Sequence, residues 1–322
     1  MLKILLVKTS SMGDVIHNLP VVTDIRWQFP DAVIDWVVEE SFVQIPLLHA
    51  GVRKVIPVAL RRWRKSLTHS STRLEMAAFN AALKSENYDV VLDTQGLVKS
   101  AVITRLARGR RLGYDWNSAR EPLASLFYQQ GFSVDKTLHA VARNRLLASA
   151  ALGNAPSPSA PDYGIAAPAD LPASFTQSPY AVLLHGTSRE DKLWPEDRWI
   201  VLGRQLVEAG LTCLLPWGSD AEKNRSLRLA SAIPGATVPS ALTLKEAASM
   251  LAGAAVVVGV DTGLTHLAAA LGTPVVALYV ATSPGLTGVY AGHRAINLGD
   301  AGKPPTASEV WQTAARLMDA DH

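Results

Sequence analysis

The sequence predicts an α/β protein made of two successive parallel-sheet domains, and three observations carry that expectation. Short β-rich runs alternate with helical patterns, the alternation occurs twice, and a proline-dense stretch separates the two series. At 322 residues the chain also exceeds what a single hydrophobic core usually supports. In the first series, strands are expected at 3–7, 34–38, 55–58 and 89–92, with helices at 15–26, 73–86, 97–108 and 137–152. In the second, strands are expected at 180–184, 212–216, 256–260 and 275–279, with helices near 195–209, 220–232, 243–252 and 263–271. Runs such as Val256-Val257-Val258-Gly259-Val260 are apolar at every position, as in strands buried on both faces of a parallel sheet. Between the series, Pro156, Pro158, Pro161, Pro168, Pro172 and Pro179 exclude a regular helix or central strand. The expected division is a Rossmann-like domain over 1–155, a linker over 156–179 and a second Rossmann-like domain over 180–305. A terminal segment, 306–322, holds a helix at about 307–318 that suits either domain.

Composition narrows the class. Hydrophobic residues at 48% and charged residues at 18% are ordinary for a soluble globular chain and exclude a disordered one. The formal charge of +3 conceals an asymmetry: residues 1–160 hold 20 Lys and Arg against 13 Asp and Glu, whereas 161–322 hold 11 against 15. The basic half is the candidate for an anionic partner. Cys213 is the sole cysteine, so no intrachain disulfide forms, and its apolar surroundings mark it as core filling. Only four apolar residues separate Lys3 from Lys8, too few for a signal peptide. No stretch approaches the ~20 apolar residues of a membrane span. A cytoplasmic protein able to touch a membrane surface is expected.

Ligands of open α/β sheets bind outside the carboxyl ends of the strands, so chemistry is sought in the strand-to-helix loops. The first such loop is Ser10-Ser11-Met12-Gly13-Asp14, with Gly13 expected to make the turn. Asp14 reads equally as a helix cap or as a carboxylate facing a cleft. In the second half, Asp261-Thr262-Gly263-Leu264-Thr265-His266 closes a strand and opens a helix. Amides at such a helix start, helped by its dipole, suit a diphosphate. Gly263 permits close approach, Thr262 offers a hydroxyl, and His266 lies one turn on. An N-cap aspartate with a satisfied histidine is the competing reading. The loop after 180–184 adds the hydroxyls of Thr187 and Ser188 and the mobile charge of Lys192. The loop after 212–216 adds Glu222, placed to accept from ribose hydroxyls unless Ser219 or Asp220 merely caps the helix.

Neither G-x-G-x-x-G after the first strand nor G-x-x-x-x-G-K-[ST] occurs, which argues against a nicotinamide enzyme and a P-loop nucleotidase. Metal-ligand spacing of Cys and His is also absent. A diphosphate site without those motifs, opposite a lone carboxylate, suits glycosyl transfer with the nucleotide as leaving group.

The ordered segments SSMGDVIHNLP, DWVVEESFVQIP, VIPVALRRWRK, ENYDVVLDTQGLVKSA, AREPLASLFY, DKLWPEDRW, LPWGS and VDTGLTHLAAAL resemble the lipopolysaccharide heptosyltransferases of glycosyltransferase family 9. The resemblance runs from residue 1 to about 290, and RRWRK and LVKSA favour the enzymes that add the first heptose over those that add the second. It implies a GT-B fold and an inverting transfer of L-glycero-D-manno-heptose from ADP-heptose to the inner Kdo of Kdo2-lipid A. No cofactor and no catalytic metal are implied. Asp14 matches the family's catalytic aspartate. Thr187, Ser188, Lys192, Thr262 and Gly263 match positions contacting the donor diphosphate or sugar. Glu222 and Leu242 match positions near ribose and adenine, and Asp261 and His266 match heptose-side positions. Leu242 replaces an expected Met, a volume-conserving change. Ala281-Thr282-Ser283-Pro284-Gly285 departs from the family's Gly-Pro-Thr-Asp-Pro-Gly-like pattern, which leaves the donor role of the 281–288 loop open.

The basic half then acquires a partner. Arg61-Arg62-Trp63-Arg64-Lys65 places four cations around one aromatic after a strand. By pattern alone this is a solvated face or an anion site. The resemblance makes Arg61, Arg62, Arg64 and Lys65, with Lys99, Arg105, Arg108, Arg120, His139 and Arg143, candidates for the acceptor's carboxylates and phosphates. Trp63 is expected at a membrane interface. The implied state is a monomer, peripheral on the cytoplasmic face of the inner membrane, with no nucleic-acid partner. A solute-binding protein would need an export signal, and no nucleic-acid-binding module appears. The enzymatic alternatives are a second heptosyltransferase or a sugar-nucleotide epimerase of the same fold.

Overall fold

A computed structural model describes residues 1–166, 179–187 and 189–320 of the chain. It divides into two compact units, Met1–Ile165 and Ala166–His322. Residues 167–178, half of the expected linker, lie outside the described residues, as does Ser188.

The first unit holds six strands: β1 (Lys3–Val7), β2 (Val33–Glu39), β3 (Val52–Val58), β4 (Val90–Asp93), β5 (Arg110–Tyr114) and β6 (Gln130–Phe132). All pair in parallel, in the order β3-β2-β1-β4-β5-β6. Its helices are α1 (Met12–Ile16), α2 (Leu19–Gln28), α3 (Gln44–Leu47), α4 (Leu60–Trp63), α5 (Ser70–Lys84), α6 (Val98–Leu106) and α7 (Ala140–Leu152). The single helix expected over 15–26 is two: the chain breaks at His17–Asn18 and restarts with Pro20 in the first turn of α2, where no intrahelical N–H is lost. Leu5, Val7 and Val37 pack with Trp63, Phe79 and Leu83 in one core cluster.

The second unit holds β7 (Tyr180–Leu184), β8 (Thr212–Leu214), β9 (Val256–Val260), β10 (Val275–Tyr279) and β11 (Ala295–Gly299), parallel in the order β11-β10-β9-β7-β8. Its helices are α8 (Glu196–Glu208), α9 (Asp220–Ala232), α10 (Leu244–Ala252), α11 (Gly263–Ala270) and α12 (Ala307–Asp319). The terminal helix belongs here: Val310, Ala314 and Leu317 enter the β9–β10 core, and the Trp194 indole donates to Pro305 O at 2.9 Å.

Strands β5, β6 and β11 were not expected from the sequence. Two arginines open β5, and β6 and β11 are half-solvated edges, so none shows a continuous apolar run. Strand order reverses between β1 and β4 in the first sheet, and between β7 and β9 in the second. Those are the two places where a doubly wound sheet opens a crevice at its carboxyl edge.

Candidate active site

The loop after β1 delivers Asp14 to the first crevice. Gly13 lies inside α1 and does not make the turn; the chain turns at residues 8–11, and Ser11 is the N-cap. Asp14 occupies the third helical position and reaches back, its Oδ2 accepting from Ser11 N at 2.9 Å and Ser11 Oγ at 3.0 Å. This is the return half of a capping box, so Asp14 does cap its helix. Its Oδ1 meets the Arg120 guanidinium at 3.3 Å. Burial alone would raise this carboxyl; Lys8, Arg120 and the Ser11 donors overcome it and hold Asp14 below the usual carboxylate range.

Lys8 escaped notice in the sequence because it closes an apolar strand. It is 4% exposed, and its Nζ donates to Thr94 O at 2.8 Å and to Asn144 Oδ1 at 3.4 Å. Burial lowers its pKa to about 8, with Asp14 acting in the opposite sense. Beside it, Lys99 donates to Ser10 Oγ at 2.8 Å from the first turn of α6. Burial lowers its pKa too; Glu39 and Asp14 oppose the shift, while Arg61 and Arg64 add to it. Asp14, Lys99, Arg61, Arg64 and Arg120 therefore share one electrostatic neighbourhood.

The remaining basic candidates divide. Arg143 donates to Ser118 O at 2.6 Å and lies over the Tyr114 ring at 5.0 Å. The His139 ring caps α7, with Nδ1 accepting from Val141 N at 3.2 Å, and stacks edge-on to His17. Lys65 is exposed. Arg62 is engaged by carboxylates on both sides, Glu40 at 2.9 Å and Glu75 at 2.8 Å. Arg105 and Arg108 fall at the far end of α6, which runs back toward the amino edge of the sheet, roughly 13 Å away by helical rise. Trp63 is no interface residue. It is 6% exposed, stacks against Phe79 at 5.7 Å and donates to Glu75 Oε2 at 2.7 Å, because the short helix α4 turns it inward under its flanking cations.

In the second unit the crevice between β7 and β9 gathers a second charged group. Asp261 Oδ2 accepts from Lys192 Nζ at 2.6 Å and Thr282 Oγ1 at 2.9 Å, and Oδ1 stands 3.6 Å from His266 Nε2. Burial acts to raise Asp261, but these partners drive it far below the carboxylate range. Thr187 Oγ1 reaches Asp261 O at 3.5 Å. The 281–288 loop, left open by the sequence, thus enters the site through Thr282. Thr262 stands at the N-cap position of α11 without a side-chain capping bond, and the Gly263 and Leu264 amides lie in the first turn, ahead of the intrahelical bonds. Gly259 lets α11 sit this close: a Cβ there would collide with Thr265 Oγ1. Glu222 joins the neighbouring loops, accepting from Gly218 N at 2.7 Å and abutting Gly186, where a Cβ would come within 2.6 Å of the carboxylate. Leu242 is half-buried in the loop before α10.

Among the described residues no group of three or more His, Cys, Asp or Glu side chains could hold a metal ion, and no helix is long and apolar enough to cross a membrane.

Residues 76–313 match the family model for glycosyltransferase family 9 (heptosyltransferase). The lipopolysaccharide heptosyltransferase 1 of Escherichia coli K12 is 49% identical over 292 residues, covering 90% of this chain and 91% of that protein. The Pseudomonas aeruginosa protein of the same name is 46% identical, covering 92% and 84%. The solved E. coli heptosyltransferase WaaC with ADP superposes with a TM-score of 0.93 at 45% identity, covering 98% of this chain and all of that one. E. coli heptosyltransferase II, at 20% identity, and a Listeria monocytogenes structure described as a putative UDP-N-acetylglucosamine 2-epimerase, at 15%, share the fold alone, with TM-scores of 0.78 and 0.60.

Proposed function

The chain belongs to glycosyltransferase family 9, the heptosyltransferases, and from that premise we propose that it moves L-glycero-D-manno-heptose from ADP-heptose onto the inner Kdo of Kdo2-lipid A, with inversion at the anomeric carbon. It is a glycosyltransferase of the heptosyltransferase I kind, acting in lipopolysaccharide core synthesis. The observation that carries the finer reading is Asp14, ionised and held at the switch point of a sheet, with one oxygen fixed by Ser11.

The chemistry follows. A sugar hydroxyl is a very weak acid, so Asp14 takes its proton only as the oxygen–carbon bond forms. The acceptor oxygen attacks the anomeric carbon on the face opposite the diphosphate, and the carbon–oxygen bond to ADP breaks with its electron pair leaving on the phosphate. Lys192, the Thr187 hydroxyl and the amides opening α11 stabilise that charge. Glu222 takes the ribose side and Leu242 the adenine; Asp261 and His266 face the heptose. Ser188, outside the described residues, keeps the donor role that the family resemblance implies. Arg61, Arg64, Lys65, Lys99, Arg120, His139 and Arg143 meet the acceptor's carboxylates and phosphates, with Arg62 contributing less because Glu40 and Glu75 already engage it. The enzyme works as a monomer on the cytoplasmic face of the inner membrane, where a lipid acceptor resides. Exposed Leu123 and Leu126, beside Arg120 in the sequence, suit that surface.

The test is to incubate the protein with ADP-heptose, with Kdo2-lipid A, and with both. Heptosylated lipid formed only when both are present is expected. Donor consumed in the absence of lipid would favour an epimerase instead.

A further inference from the structure

Beneath the Asp14 loop lies a side chain that no part of the transfer chemistry uses. Gln95 follows β4 and is 1% exposed. Its Oε1 accepts from Thr9 N at 2.6 Å and from Thr9 Oγ1 at 2.8 Å, while its Nε2 donates to Ser10 O at 2.8 Å. Both ends of one amide are thus spent on consecutive residues of the loop after β1. Gln95 is itself anchored, because Asp93 Oδ1 accepts from Gln95 N at 2.7 Å and from Gly96 N at 3.1 Å, and Asp93 Oδ2 accepts from Tyr128 OH at 2.8 Å. Ser11, the next residue along the gripped loop, donates both its groups to Asp14.

We propose that Gln95 is a positioning residue for the base: it locks the loop after β1 to the loop after β4 across the switch point, and so fixes where the Asp14 carboxylate points. The inference rests on Asp14 being the base. An amide suits the task because the loop presents one N–H and one carbonyl, and only a side chain with an acceptor and a donor at fixed separation answers both. A carboxylate would turn a second acceptor onto Ser10 O. Asparagine falls one methylene short. Because both partners are buried, an unmet group is costly, and the loop shifts to reduce that cost. A misplacement on the order of 1 Å at a reacting group can cost about 10²-fold in rate.

The charged and titratable groups around this clamp are Lys8 at the end of β1, Asp14 on α1, Asp93 on β4 with Tyr128 bonded to it, Lys99 on α6, Arg120 after β5, Tyr114 at the end of β5 and Arg143 on α7. They are common to wild type and the Gln95 variants, so the ratio of each Gln95 variant's kcat to that of wild type isolates the substituted position.

The experiment measures kcat, donor KM and thermal unfolding between pH 6 and 9 for wild type, Gln95→Ala, Gln95→Asn, Gln95→Glu and Asp14→Asn. Gln95→Ala and Gln95→Asn should lose about 10²-fold in kcat at every pH with donor KM unchanged, since the donor groups lie in the other unit. Gln95→Glu should be as impaired at pH 9 and regain rate toward wild type as pH falls, because the protonated acid again offers one donor and one acceptor. That recovery is a signature that lost packing would not produce. If Gln95→Ala keeps kcat within about threefold of wild type, or the Gln95→Glu ratio is flat with pH, the positioning role is wrong. A fully active Asp14→Asn would instead remove the base assignment on which the proposal stands.

Discussion

The two units each bring an aspartate to the switch point of a parallel sheet, and the two carboxylates are held in opposite manners. Asp261 is engaged at both oxygens, with Lys192 and Thr282 on one and His266 facing the other. Asp14 is tied firmly at one oxygen by Ser11, while the other meets a half-exposed Arg120 at 3.3 Å. Both are kept ionised, yet the cation that most favours the Asp14 anion is the buried Lys8, ahead of the Arg120 that touches it. A buried charge, shielded from water and its ions, acts more strongly than a nearer one that solvent screens. The contrast separates two tasks. A carboxylate saturated by donors organises a binding site, whereas one with a loosely engaged oxygen can turn it to a substrate's proton.

Four measurements would break or sharpen that division. The largest effect should come from Asp14→Asn, which removes the proposed base: kcat should fall about 10²–10⁴-fold while ADP-heptose binding by calorimetry is unchanged, and retention of more than about a tenth of the activity would end the assignment. Asp261→Asn should act on the other quantity. Lys192 loses its charged partner, and donor affinity weakens by roughly 5- to 150-fold, the equivalent of about 1–3 kcal/mol for an unmet charged group. A loss confined to kcat would place Asp261 in the chemistry. Next, Arg61→Ala with Arg64→Ala should raise the acceptor KM by about tenfold and leave the donor KM alone, with Arg62→Ala having the weaker effect. Equal effects from all three would mean that the Glu40 and Glu75 pairing gives way when lipid binds.

The smallest effect concerns acid. Both aspartates titrate lower in the folded chain than in the unfolded one, so their stabilisation is complete above about pH 4 and drains away as pH falls through the folded values. Thermal unfolding followed from pH 7 down to pH 3 should therefore fall less steeply for Asp261→Asn than for wild type. Parallel curves would show that Asp261 carries little of the acid sensitivity.

Much of this was legible in the sequence, for reasons that differ by residue. Apolar strands ending in Asp261 or leading to Asp14 show themselves, because a central parallel strand must be apolar throughout and its outgoing loop carries the polar residues. Strand β6, with Gly131 in a three-residue edge, offers no such contrast. Arg61 and Arg62 look alike as letters, and only the fold brings Glu40 and Glu75 onto Arg62. Trp63 read as an interface residue because the local pattern shows its charged neighbours and not Phe79 beneath it. Lys8 and Gln95 were hidden for one shared reason: their partners lie some eighty or more residues away, at Thr94, Asn144, Thr9 and Ser10. Periodicity does not report such pairings.

The pairing of Val7 with Asp93, and of Leu184 with Gly259, has a consequence for the order in which the enzyme comes into being. Neither crevice exists until a strand made early is joined by one made much later. A chain emerging from the ribosome carries Asp14 from the outset, but its clamp arrives only with Gln95, and Lys8 waits longer still for Asn144. The carboxylate proposed as the base is thus made at the outset but set in place only once the chain has reached Asn144, so a chain cut short before that point holds Asp14 without the groups that aim it.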